Sequence, residues 1–99
     1  MSERQLPVYK IADGHVDDFA SEWRAAVLPL RRQFGFTVEA WTDSAENAFV
    51  WILEYDGPGT LKEADRAYYA SPERVAMDPD PARWIEDSMT LALTPFPTT

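Results

Sequence analysis

The stretch His15–Phe36, HVDDFASEWRAAVLPLRRQFGF, decides how the rest of the chain must fold. Its apolar residues Val16, Phe19, Ala20, Trp23, Val27, Leu30 and Phe34 recur at steps of three and four, which on a helix of about 3.6 residues per turn stacks them into one stripe. Asp17, Asp18, Glu22, Arg24, Arg31 and Arg32 are read as lying off that stripe. Carboxylates in the first turn and guanidiniums in the last complement the helix dipole, and Gly35 closes the helix as a C-terminal cap. Pro29 is the discordant residue. Lacking an N–H, it loses one backbone bond and predicts a kink near Ala25–Pro29.

A helix with one apolar stripe needs an apolar surface to lie on, and the flanking sequence supplies strands. Leu6–Ile11, LPVYKI, is β-prone and ends at the turn pair Asp13-Gly14. Phe36–Thr42, FTVEAWT, and Ala48–Tyr55, AFVWILEY, are joined by the polar link DSAEN and read as a hairpin, with two registers left open by that link. Asp56–Gly59, DGPG, then turns the chain. Thr60 caps a second helix, LKEADRAYYAS, with Glu63 completing a capping box and Leu61, Ala64, Ala67 and Tyr68 forming its stripe. Pro72 ends this helix or opens a further short turn, and MDPDPARW reads as an ordered irregular connection. Ile85–Leu93 is the last strand, with Met89, Leu91 and Leu93 alternating with smaller residues. The order βαββαβ predicts an α+β, ferredoxin-like fold over a single domain spanning 1–99: a four-stranded antiparallel sheet with two helices on one face.

Two helices cover one face only, yet Phe49–Leu53 is apolar at five consecutive positions, so both faces of that strand must be buried. Leu6, Val8, Tyr9, Ile11, Val38, Ala40 and Trp41 add to the excess. A chain of 99 residues buries only about two thirds of its unfolded surface. An isologous homodimer, sheet against sheet, is the expected remedy. Seventeen acidic against nine basic residues give a net charge of −8, which repels polyphosphate and makes nucleic acid and anionic membrane poor partners. The chain has no cysteine, no signal-like apolar run and no stretch near the ~20 residues that span a bilayer, so a cytoplasmic protein is expected.

Two strings carry a family resemblance: G-x-x-x-x-F-x-x-x-W-x-x-x-x-L-P over Gly14–Pro29, and Y-Y-x-S-P-x-R over Tyr68–Arg74. With Val8–Phe36, Glu39–Asp56 and Glu63–Ile85 around them, nearly the whole chain resembles the NIPSNAP family within the dimeric α/β-barrel superfamily. The resemblance implies a βαββαβ unit and a dimeric α/β barrel, and it implies no activity. Superfamily relatives that resemble this chain in fold alone include cofactor-free monooxygenases, polyketide cyclases, lactone isomerases and haem enzymes.

No phosphate-cradling loop, dinucleotide fingerprint, nucleophile elbow or zinc-binding helix motif occurs, so neither a metal nor a cofactor is expected. His15, at the mouth of the long helix, is a candidate pocket donor, with a plain solvent-side role as the alternative. Glu39 and Glu54 lie on apolar strands, where a buried carboxylate has a raised pKa and can move protons, or else pairs with Arg or Lys. Tyr9, Trp23, Trp41, Trp51, Tyr55 and Tyr68 supply the aromatic mass, most of it core. A cleft between sheet and helices, with Tyr9, His15 and Glu39 as candidate proton donors or acceptors, Trp41 and Tyr68 as candidate walls and Arg74 as a lid residue, fits a small apolar or aromatic metabolite, either bound or converted without metal or cofactor. Arg74 has a structural alternative, pairing with Asp78 or Asp80. A non-catalytic dimerisation or protein-interaction module with a filled core is the competing expectation.

Overall fold

A computed structural model describes residues 3–98. The elements are β1 (Glu3–Ile11), α1 (Val16–Glu22), a π-helical turn (Trp23–Val27), α2 (Leu28–Gln33), β2 (Phe36–Asp43), β3 (Ala48–Tyr55), α3 (Leu61–Ala70), α4 (Pro72–Val75), a 3-10 turn (Pro81–Trp84) and β4 (Ile85–Leu93). The strands order β2-β3-β1-β4, every neighbour antiparallel. This is the ferredoxin-like α+β arrangement expected from the order of elements.

The sheet register assigns the faces. Along β3 burial alternates, with Phe49, Trp51, Leu53 and Tyr55 buried against Phe19 and Trp23 of the long helix and Leu61 and Tyr68 of α3. Tyr9 pairs with Phe49 and joins this covered face, where its ring meets Phe19 edge-on at 5.8 Å. Trp23 packs on Phe49 at 5.0 Å and on Trp51 at 5.5 Å between ring centroids. The other set, Leu6 and Val8 of β1, Trp41 of β2, Val50 and Ile52 of β3, and Met89, Leu91 and Leu93 of β4, shares the face that no helix covers. Trp41 is 51% exposed and Met89 55%. The hairpin register left open by the sequence is set by pairing Asp43 with Ala48 around a tip where Asn47 takes φ 51°. The Asn47 carbonyl accepts from Ile11 N–H at 2.7 Å and its side-chain amide donates to Asp13 at 3.0 Å, which staples the tip to the β1–α1 turn.

The kink expected near Pro29 takes the form of the π-helical turn just before it, where Leu28 N–H donates to the Trp23 carbonyl five residues back. A proline that cannot donate leaves a local gap in the helical ladder, and a widened turn is one way to close it. The widening has a consequence for phase. At about 100° per residue Arg31 would lie about 120° from Phe19, but one extra residue in the turn rotates everything after it back by about 100° and carries Arg31 onto the apolar side. Arg31 is therefore not on the outer face, as the simple stripe predicts. It is buried to 2%.

The second helix begins as read: Thr60 accepts from Glu63 N–H at 3.1 Å while the Glu63 carboxylate accepts from Thr60 N–H at 2.9 Å. Ser71 then caps α4, its hydroxyl accepting from Arg74 N–H at 3.2 Å. Among the described residues no helix is long and apolar enough to cross a membrane.

Candidate functional site

Between the covered sheet face and the helices lies a narrow cleft of about 50 Å³, walled chiefly by Tyr9, Trp23, Arg31, Trp51, Tyr68 and Arg74. Each wall residue is delivered by a different device. Trp23 opens the π-helical turn and Arg31 follows it, Tyr9 and Trp51 sit on neighbouring strands, Tyr68 is on the inner side of α3, and Arg74 sits in the short helix that Ser71 caps.

Arg31 is the centre of charge. Its Nη1 donates to Asp65 at 2.7 Å, and its guanidinium carbon lies 3.7 Å from the Tyr68 ring centroid, 5.0 Å from Phe36, 5.1 Å from Tyr69 and 5.3 Å from Trp51. An aromatic cage of this kind stabilises a desolvated cation by electrostatic attraction to the ring faces, by about 2 kcal/mol for a well-placed ring. Arg74 lies nearby with its guanidinium 5.6 Å from the Tyr69 ring and donates to Asp80 at 3.1 Å, the pairing expected from the sequence. Neither Asp65 nor Asp80 lines the cleft.

Four buried side-chain polar atoms among the described residues have no hydrogen-bond partner: Trp23 Nε1, Arg31 Nε, Trp51 Nε1 and the Tyr68 hydroxyl. All four belong to walls of this one cleft. Leaving a buried donor unpaired costs roughly 1–3 kcal/mol, and native folds hold few such groups, so their concentration around one cleft sets it apart from the rest of the core. Burial pushes the Tyr9 hydroxyl up to about 12, with the neighbouring Tyr69 adding to it and the Trp51 indole N–H and Arg31 pulling the other way. Burial also raises Tyr68, against the opposing pull of Arg31. Both phenols therefore stay protonated at neutral pH, each with an O–H to donate. Among the described residues no carboxylate or imidazole stands in the lining.

The sequence-expected residues divide sharply. Tyr9, Tyr68 and Arg74 meet in the cleft. His15 does not reach it: its Nδ1 is 2.9 Å from Asp18 and its ring stacks on Trp84 at 4.2 Å, which pins the 3-10 turn to the start of α1. Arg83 strengthens that seam by donating twice to Glu22 at 2.7 Å, and holds the Glu22 carboxyl below its ordinary range. Glu39 and Trp41 lie on the uncovered side of the sheet, opposite the cleft. Glu54 is on that side too and pairs with Arg4 of its own chain. Glu39, Glu54, Ile52 and Leu93 border a shallow trough of about 340 Å³ there. Among the described residues no group of three or more His, Cys, Asp or Glu is placed to hold a metal ion.

Sequence reasoning missed Arg31, Trp23 and Trp51 as site residues, counting the two tryptophans as core. The signal was present in the four-residue steps Phe19, Trp23, Val27, Arg31, which a proline-induced wide turn aligns on one side.

No protein-family model matches the chain, and no curated protein is significantly similar to it in sequence. Solved structures do match over its whole length. A NIPSNAP domain protein from Burkholderia xenovorans superposes with a TM-score of 0.84 at 20% identity, over 100% of this chain and 98% of the other. A NIPSNAP family protein from Agrobacterium tumefaciens gives 0.82 at 14% identity, over 100% and 97%. An antibiotic biosynthesis monooxygenase gives 0.69 at 16% identity, over 98% and 100%. The fold of this chain is the one seen in NIPSNAP family proteins, within the wider ferredoxin-like set that also holds such monooxygenases.

Proposed function

We propose that this protein is a small cytoplasmic homodimer that binds an apolar or aromatic small molecule in the cleft between sheet and helices. The observation that carries the binding reading is the gathering of all four unpartnered buried polar atoms onto the walls of one aromatic cleft. Pockets for small molecules are mostly apolar with a few converging polar groups, and these walls have that character. Tyr9 and Tyr68 orient the ligand as protonated donors. With no base in the lining, binding is the reading favoured over proton abstraction.

The homodimer reading rests on the uncovered sheet face. Trp41, Met89, Leu91 and Leu93 expose between 38% and 55% of their surface on one side of the sheet, beside the half-buried Leu6, Val8, Val50 and Ile52. A two-fold axis lets this one patch cover itself in a second copy, with the apolar residues of four strands at its centre. The small size of the cleft supports the second reading, an interaction module whose interior is filled by its own aromatics.

A thermal-shift screen of aromatic and aliphatic metabolites separates the two readings. The binding reading expects stabilisation that is weakened by Tyr68→Phe and Tyr9→Phe and unaffected by Glu39→Ala. A screen in which every compound leaves the melting temperature unchanged supports the filled module. Sedimentation equilibrium tests the dimer, with twice the 11.3 kDa chain mass expected.

A further inference from the structure

The unpartnered atoms also have a sign. Trp23 Nε1, Trp51 Nε1 and Arg31 Nε can only donate, and the Tyr68 hydroxyl has a proton to give. Among the described residues the lining holds two guanidiniums, Arg31 and Arg74, and no carboxylate, since Asp65 and Asp80 approach these arginines from outside it. A ligand ammonium would bring only further donors to a wall of donors, and a hydroxyl could accept there but carries no charge to meet the guanidiniums. A group rich in lone pairs and negative charge satisfies it.

We propose that the cleft is selective for an organic carboxylate, which enters oxygen-first toward Arg31 and the two indole N–H groups while its apolar body lies toward the mouth beside Tyr69 and Arg74. This rests on the binding reading given above and names the class of ligand. The dimensions agree. A volume of about 50 Å³ corresponds to a few water-sized centres at roughly 10–15 Å³ each, enough for the three heavy atoms of a carboxylate and not for a whole aromatic ring. Tyr69 is 49% exposed, so the wall it forms opens to solvent and a larger body can remain there. The chain's charge of −8 opposes an anion at long range, but exposed charges more than about 8–10 Å away are screened by salt, whereas the two guanidiniums stand in the wall itself.

The test is calorimetric titration of the full chain with three probes of one shape and different charge: benzoate, benzyl alcohol and benzylammonium. Benzoate is expected to bind about tenfold or more tightly than benzyl alcohol, as hydrogen bonds to a charged acceptor are the strong ones, and benzylammonium least. Trp51→Phe and Trp23→Phe each keep an aromatic wall and delete one N–H. Either is expected to weaken benzoate about tenfold more than it weakens benzyl alcohol, the alcohol reporting the trimmed wall and the difference between the two reporting the lost N–H. Benzyl alcohol binding as tightly as benzoate would overturn the carboxylate and leave the binding cleft standing. Saturation by none of the three would overturn both. Benzoate binding that both Phe variants leave unchanged would place the anion elsewhere and overturn the assignment.

Discussion

The two sides of the sheet are made from the same strands and end in opposite conditions. On the covered side Phe49, Trp51, Leu53 and Tyr55 are each at most 7% exposed, and even the charged Arg31 is enclosed by rings. On the other side Trp41, Met89, Leu91 and Leu93, as large and as apolar, stay open to water within the single chain. Residue type therefore does not distinguish the sides. What distinguishes them is whether the chain itself supplies the cover: the helices enclose one side, and the same strands leave equally apolar residues open on the other.

The largest effect that can break this contrast comes from two adjacent positions. Trp51→Asp deletes an indole packed on Trp23 and Tyr9, leaves a cavity in the core beside Arg31 and is expected to destabilise the fold by roughly 4 kcal/mol, seen as loss of cooperative unfolding in denaturant. Ile52→Asp places the same charge on the bare side. It is expected to leave a folded chain that elutes at the monomer mass where the parent elutes as a dimer. If both variants unfold alike, or if Ile52→Asp leaves the elution volume unchanged, the two sides are not different in kind.

A smaller effect sharpens the account of the covered side. Arg31 is buried and Asp65 is one-third exposed, so the pair is unequal. Asp65→Ala leaves a guanidinium in a dry aromatic cage with no counter-charge and is expected to cost about 2 kcal/mol, less than a fully buried pair because water reaches Asp65. Arg31→Met removes the buried charge and frees a carboxylate that water can solvate. Its expected cost is within about 1 kcal/mol, and the difference between the variants in urea unfolding measures the asymmetry.

Much of the architecture was legible because local rules and global packing agree. The bounds of β3 and β4 follow from runs of β-prone residues between turn signals, and the capping box at Thr60 and Glu63 marks the start of α3. The side assignment of Trp51 and Ile52 was not legible, since it depends on how Asn47 turns the hairpin tip, and one residue of slip exchanges the sides. Arg31 was misplaced for a related reason: a helical stripe assumes constant phase, and the π-helical turn before Pro29 changes it. Of the site, Tyr9, Tyr68 and Arg74 were found through their aromatic and basic character. Glu39 and Trp41 were drawn into the same cleft only because strand alternation had not yet been fixed to a side.

The smallest effect concerns pH and again separates the sides, because both phenols held above their ordinary range, Tyr9 and Tyr68, are on the covered one. For Tyr9, burial raises the folded-state pKa to about 12 from the unfolded value of 10.0. Below pH 10 both states hold the proton, and stability does not depend on this group. Between pH 10 and 12 the unfolded chain gives it up first, so alkali favours unfolding and the contribution is lost as pH rises through that window. In urea titrations across that range the parent is expected to lose stability with rising pH more steeply than Tyr9→Phe, by up to about one proton's worth of slope. Parallel slopes would mean that water reaches the Tyr9 hydroxyl in solution, and the cleft would then be wetter than the closed aromatic wall described here.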